Sequence, residues 1–357
     1  MIKGHIHQPE GRSDKPVFIV GCPRSGTTFL YDMLLSSGKF ALYRAESDVF
    51  FRIAPAFGNL KSRSNRVKLM DAWLKSDYFR RSGLNGDAVR TKVLSDCRNP
   101  GDFLRIVMEG IASQQRVRRW ADNTPFHILY IAEIKKTIPN AQFVHMIRDG
   151  RDVAMSLSRM GWPHCFPWDS KHRLAITGLY WKWLVLQGRE SGRKLGADYL
   201  ELHYEELVGR PQETLATLSQ FIGEDLNHKG IQENAIGTVA RPNSSFPYTG
   251  ELRSVGRWKN LRDGEAVPLT TLLSPLLKEL GYEAADVNDT PFSTWRLNIS
   301  YLPYWWLRQR KIKKSPLSRF LVSRQRFQPG ALDKVDARWD QFRSGIPDTP
   351  QTNRGNP

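Results

Sequence analysis

The sequence predicts an α/β fold of three layers, a central parallel sheet flanked by helices. Three observations lead there. Short apolar runs at Val17–Val20, Gln142–Ile147 and Tyr199–His203 have the length and content of buried strands. Longer stretches with helical spacing separate them, and alternation of strands with helices builds parallel sheets covered on both faces. Two of the strand-like runs also pass straight into a special turn and then a helix. Open parallel sheets place ligands at that kind of junction.

The first junction is Val17-Phe18-Ile19-Val20-Gly21-Cys22-Pro23-Arg24-Ser25-Gly26-Thr27-Thr28, followed by a helix-like run from Phe29 to Leu35. Gly21 and Gly26 have the spacing of the phosphate loop G-x-x-x-x-G-K-[ST], but Thr27 stands where the lysine belongs. Thr27 cannot reach the β/γ-phosphates of a nucleoside triphosphate. Backbone N–H groups and a helix N-terminus still cradle a phosphate, and Arg24 supplies a cation. An unliganded tight turn has the same spacing, so this loop alone does not decide the matter.

The second junction is Gln142-Phe143-Val144-His145-Met146-Ile147-Arg148-Asp149-Gly150-Arg151-Asp152-Val153-Ala154-Met155-Ser156. Arg148 falls at the strand's C-terminal end, and Ser156 two turns into the next helix. An arginine fork with a hydroxyl beside it suits a phosphate group. Further helical spacing covers Val67 to Leu74, Phe103 to Val117, Phe126 to Lys136 and Leu174 to Gln187.

Together, P-R-S-G-T-T and I-R-D-G-R-D-V-A-x-S resemble the sulfotransferases that use 3'-phosphoadenosine-5'-phosphosulfate (PAPS), whose fold is P-loop-like. The style is closest to the branch of tyrosylprotein and many bacterial sulfotransferases. The resemblance continues through Trp120-Ala121-Asp122-Asn123-Thr124-Pro125, His203-Tyr204-Glu205-Glu206-Leu207-Val208 and Val255-Gly256-Arg257-Trp258-Lys259, and spans about residues 15 to 282. It implies that Arg24, Ser25, Gly26, Thr27 and Thr28 hold the 5'-phosphosulfate. It also implies that Arg148 and Ser156 hold the 3'-phosphate, with Arg159 a weaker third contact. Tyr204 would lie near the nucleotide, and the loop bearing Ser254, Arg257 and Lys259 would close over it.

By the same likeness Glu46, in Arg44-Ala45-Glu46-Ser47-Asp48, is the base that deprotonates the acceptor, at a one-residue offset from the family position. Asp48 and the more remote His127 are the alternatives. Two departures stand out. Asn123 replaces a lysine that stabilises the leaving group, so Arg24 carries more of that charge. Asp48 replaces an arginine that belongs with an acidic peptide substrate, which argues against a tyrosine acceptor. The sequence does not name the acceptor: a carbohydrate hydroxyl, a lipid headgroup and a small alcohol or phenol all remain open. The other readings are an ATP-dependent P-loop kinase with Asp149 on Mg²⁺, and a nucleotide- or lipid-binding protein without catalysis.

The chain has 357 residues and a formal net charge of +17. Such a balance suits a polyanionic ligand or an anionic surface. No nucleic-acid module is evident, so nucleic acid is not an expected partner. Three cysteines, Cys22, Cys97 and Cys165, give no disulfide framework, and His164 with Cys165 makes no metal site. The N-terminus has no apolar signal region, and no apolar run is long enough to span a bilayer. A cytoplasmic protein, free or resting on the inner membrane face, is expected.

The expected division is a sulfotransferase domain over 15–290, with a helical, acceptor-side insertion at 58–120. A basic aromatic extension covers 291–345 and a disordered tail covers 346–357. From Thr290 to Leu332 there are nine Lys or Arg and no acidic residue. Tyr301 to Lys314 joins aromatics to cations, a composition suited to anionic lipid. The aromatic loop Trp162 to Asp169 is expected to line the acceptor pocket.

Overall fold

A computed structural model describes residues 14–163, 166–240, 254–284 and 296–305. Strand β1 (Val17–Gly21) feeds helix α1 (Thr27–Ser36). A π-helical turn at Val49–Ile53 leads to α2 (Ala54–Phe57), α3 (Arg63–Trp73), α4 (Asp77–Ser82), α5 (Gly86–Asp96) and α6 (Pro100–Gln114). Then come β2 (Ala121–Asp122), a 3₁₀ turn at Pro125–Tyr130, α7 (Ile131–Thr137), β3 (Gln142–Ile147), α8 (Gly150–Arg159) and α9 (Arg173–Gly192). The rest is β4 (Tyr199–His203), α10 (Tyr204–Gly209), α11 (Pro211–Ile222), α12 (His228–Glu233) and α13 (Asp263–Glu279), with a last helical turn pair over 296–305.

The strands pair in the order β2-β1-β3-β4, all parallel. Gly21 pairs with Met146, and Ile147 with His203, so three strands end nearly level. The loops that follow β1 and β3, and the start of α10, therefore meet along one edge. The order also reverses between β1 and β3, where doubly wound sheets open a crevice.

Both central strands are buried throughout, as strands covered on two faces must be. Phe18, Val20, Phe143 and Ile147 face one core, with α6, α7, α9 and α13. Val17, Ile19, Val144 and Met146 face the other, with α1 and α11. That split is the two-residue period of a strand. Phe18 stacks on Phe143 at 5.4 Å and meets Trp120 edge-on at 5.7 Å, locking β1 between its neighbours.

Two sequence expectations need adjusting. The helix expected from Phe126 to Lys136 is a 3₁₀ turn followed by α7, because Tyr130 leaves helical geometry (φ −123°). The helix expected to run to Val117 stops at Gln114, where Arg116 turns left-handed (φ 56°). It also starts earlier, since the Asn99 side chain accepts the Asp102 N–H as an N-cap.

The aromatic C-terminal segment is not laid open for lipid along its first part. Leu297, Tyr301 and Trp305 are buried, each one turn from the next. Trp305 packs on Tyr180 and Trp183 of α9, with centroids 5.1 and 6.0 Å away. The Tyr301 hydroxyl donates to Asp169 (3.0 Å) and accepts the Phe166 N–H (3.0 Å), tying this helix to the aromatic loop. The cationic stretch 306–314, the tail 346–357 and the pair His164 and Cys165 lie outside the described residues. No helix among the described residues is long and apolar enough to cross a membrane.

Candidate active site

The loop after β1 is forced into shape by its neighbours. A Cβ on Gly26 would lie 2.2 Å from the Tyr204 ring, and Gly26 has φ 92°. Only glycine adopts that conformation with that neighbour. Gly26 brings no side chain to cap α1, so the first N–H groups of the helix have no side-chain cap. The Ser25 hydroxyl is fully buried and has no hydrogen-bond partner among the described residues. Arg24 holds a left-handed backbone (φ 74°), rare for a residue with a side chain. Its Nε donates to Ser156 Oγ at 3.0 Å. Thr27 is buried and turns its methyl toward Gly21, whereas Thr28 Oγ1 accepts from Asn123 Nδ2 at 3.5 Å.

Arg148 leaves the end of β3 and reaches across two loops. It donates to the Arg24 carbonyl (3.0 Å) and to the Ser254 carbonyl, and its guanidinium lies 4.7 Å from the Tyr204 ring centroid. Its Nε is buried with no partner among the described residues. Tyr204 in turn donates to Ser254 Oγ at 2.9 Å. Burial holds the Arg257 guanidinium below its usual range, with Arg148 and Arg159 adding like-charge repulsion. So Arg24, Arg148, Ser156, Tyr204, Ser254 and Arg257 converge. Lys259 does not join them: it pairs with Glu283 (3.3 Å) and lies 5.7 Å from the Trp258 ring centroid.

Glu46 sits in the segment between α1 and the π turn. Thr124, next to Asn123, pins that segment by accepting the Ser47 N–H at 2.9 Å. The Glu46 residue is exposed, yet protein surrounds its carboxyl closely enough to desolvate it. Desolvation first, then the Asp48 and Asp122 carboxylates, push it up to about 8, with Arg52 opposing.

The two alternative bases are occupied. Asp48 is buried, accepts from Tyr78 (2.7 Å) and pairs with Arg52 (3.3 Å). His127 is fully buried: Nε2 accepts the Phe50 N–H at 3.4 Å, which leaves Nδ1–H to donate to Asp122 at 2.8 Å. Asp48 is thus taken up by Tyr78 and Arg52, although no arginine stands in its place for an acidic partner. Helix α4 buttresses this side, supplying both Tyr78 and the Arg81 guanidinium that donates to the Arg44 carbonyl (3.4 Å).

No cluster of metal-ligating side chains occurs among the described residues. A loop of phosphate-binding form beside a crowd of guanidinium groups suits an anionic ligand. The family follows from comparison: residues 16–228 match the model of the Sulfotransferase family, and the chain belongs to it. It is a sulfotransferase, an enzyme that moves a sulfuryl group to an acceptor.

Relatives agree. Protein-tyrosine sulfotransferase A of Caenorhabditis elegans is 24% identical over 297 residues, which cover 76% of this chain and 68% of that protein. Protein-tyrosine sulfotransferase 1 of Danio rerio is 26% identical over 283 residues, 75% and 72% of the two chains. Among solved structures, the sulfotransferase domain of the Synechococcus PCC 7002 olefin synthase aligns over 79% of this chain and all of that one. It gives a TM-score of 0.50 at 17% identity, a likeness of fold. The sulfotransferase domain from the curacin biosynthetic pathway gives the same TM-score and identity over 76% and 99% of the chains.

Proposed function

We propose that the donor is PAPS and that Glu46 is the general base for an acceptor hydroxyl. The observation that carries this reading is the gathering of Arg148, Ser156 and Arg257 beside a phosphate loop that lacks its lysine. A second anionic group on the nucleotide, away from the transferred one, accounts for those residues. A nucleoside triphosphate does not. The buried, unpartnered Ser25 hydroxyl and Arg148 Nε offer donors that such a ligand satisfies.

The acceptor oxygen attacks sulfur in line with the bond to the 5'-phosphate oxygen. The new S–O bond forms as the old one breaks, and the acceptor proton passes to Glu46. The product nucleotide, 3'-phosphoadenosine-5'-phosphate, departs with the freed bond's electrons. Arg24 and the N–H groups of Gly26 to Thr28 steady that departing oxygen, with the neutral Asn123 amide beside them. The relatives are named for protein tyrosine, so a tyrosine hydroxyl on a protein or peptide is the first acceptor to try. Carbohydrate, lipid and small alcohol hydroxyls come next.

Isothermal titration with 3'-phosphoadenosine-5'-phosphate, ADP and ATP tests the donor. Tight binding of the 3'-phosphorylated nucleotide is expected. Arg148→Ala should weaken it roughly 10- to 100-fold, as loss of a charge-assisted pair costs about 1.5–3 kcal/mol. A preference for ATP overturns the reading.

A further inference from the structure

The loop bearing Ser254 and Arg257 is held in place by a residue with no assigned part in the reaction. Asp152, in the first turn of α8, has a fully buried carboxylate. Its Oδ2 accepts the Gly256 N–H at 2.8 Å and its Oδ1 the Trp258 N–H at 3.0 Å. Gly256 is left-handed (φ 72°), which turns both N–H groups toward one carboxylate. Arg148 lies 3.9 Å from the same Oδ2.

The neighbouring residue adds a second grip. The Arg151 guanidinium lies 3.4 Å from the Trp258 ring centroid, and the Asp149 carboxylate holds it there through Nε (3.0 Å) and Nη2 (2.7 Å). Asp149 is fixed in turn, its N–H donating to Glu205 Oε1 at 2.9 Å, and Glu205 Oε2 accepts from Tyr282 at 2.9 Å. The cluster thus runs from α8 through the loop to α10 and the end of α13. Arg257 sits between the two N–H groups that Asp152 holds.

We infer that Asp152 is a positioning residue for the donor: its carboxylate fixes loop 254–259 so that Arg257 is delivered to the guanidinium cluster, which sets donor affinity and product release. This rests on the PAPS reading for the identity of the ligand, but not for the anchoring. Asp152 acts through Gly256 and Trp258 and touches no reacting atom.

Two measurements on the full chain separate the claims. Hydrogen exchange of the ligand-free protein reads the Gly256 and Trp258 amides, which should be protected in wild type and exposed in Asp152→Ala. Asp152→Asn, which keeps one acceptor oxygen, should fall between them. Titration with 3'-phosphoadenosine-5'-phosphate, and kinetics where an acceptor is in hand, should show Kd and donor KM raised roughly tenfold, the equivalent of about 1.4 kcal/mol. Acceptor KM should stay level, a split that general destabilisation does not give.

Unchanged exchange in Asp152→Ala overturns the anchoring. Faster exchange with wild-type nucleotide affinity, while Arg148→Ala loses affinity, overturns its role toward the donor. If wild type binds no 3'-phosphorylated nucleotide, the donor reading fails and the exchange result still decides whether Asp152 holds the loop.

Discussion

Glu46 shows how much a single carboxyl depends on its surroundings. Its place in Arg44-Ala45-Glu46-Ser47-Asp48 was legible from a motif offset, but its proton affinity was not. That depends first on burial of the carboxyl, then on its near neighbour Asp48 and on Asp122, which the fold brings in from far along the chain. As the proposed base, a Glu46 raised toward pH 8 is unprotonated only at the alkaline side, so kcat/KM should climb with pH up to about 8. Glu46→Gln should lose that limb and roughly 10²-fold or more of the rate. The fold should respond with the opposite sign. As pH rises past about 4.5 the unfolded chain gives up its Glu46 proton while the folded chain keeps it, so wild type loses stability until about 8. Urea titrations across that window should show Glu46→Gln gaining on wild type as pH rises. A constant gap rules out a raised carboxyl. Asp48 and His127 teach the converse: a titratable residue near the right place can be wholly spoken for by Tyr78, Arg52, Asp122 and a backbone N–H.

Elements were legible where local pattern decides them. β3 and β4 fall on the predicted bounds, since apolar runs between turn residues specify strands directly. The two-residue β2 was hidden inside a motif, because so short a strand is made by pairing with β1 and has no pattern of its own. α13 carries Pro268 and Pro275, a sequence signal against a helix that packing against α9 overrides. The helix over 296–305 is the most instructive case. Its composition suggested lipid, whereas the spacing Leu297, Tyr301, Trp305 already marked one buried face. Tyr301→Phe should cost about 1–2 kcal/mol, because the Phe166 N–H loses its acceptor and Asp169 keeps only Arg296 of its two side-chain donors. Trp305→Ala should cost about 3–5 kcal/mol by opening a cavity against Tyr180 and Trp183. Denaturant midpoints measure both. Losses well below these values would mean that the helix is only loosely docked.

At the scale of the whole molecule, part of the net charge of +17 gathers at one site, which the sequence alone could not place. Two junctions some 120 residues apart in sequence meet because β1 and β3 are neighbours in register. The resulting site packs Arg148, Arg159 and Arg257 close enough to repel one another. An anion that binds there relieves the repulsion only in the folded chain. At about 100-fold over its Kd, 3'-phosphoadenosine-5'-phosphate should add about 2.7 kcal/mol of stability. Thermal melts should show this as an upward shift that shrinks as salt rises and vanishes in Arg148→Ala. A shift insensitive to both would place the nucleotide elsewhere. The crowded guanidinium groups have a consequence for the living cell as well. A protein that is loosest when empty is turned over fastest when empty. The steady amount of this enzyme would then follow the supply of activated sulfate, and a sulfur-starved cell would lose its catalyst along with its substrate.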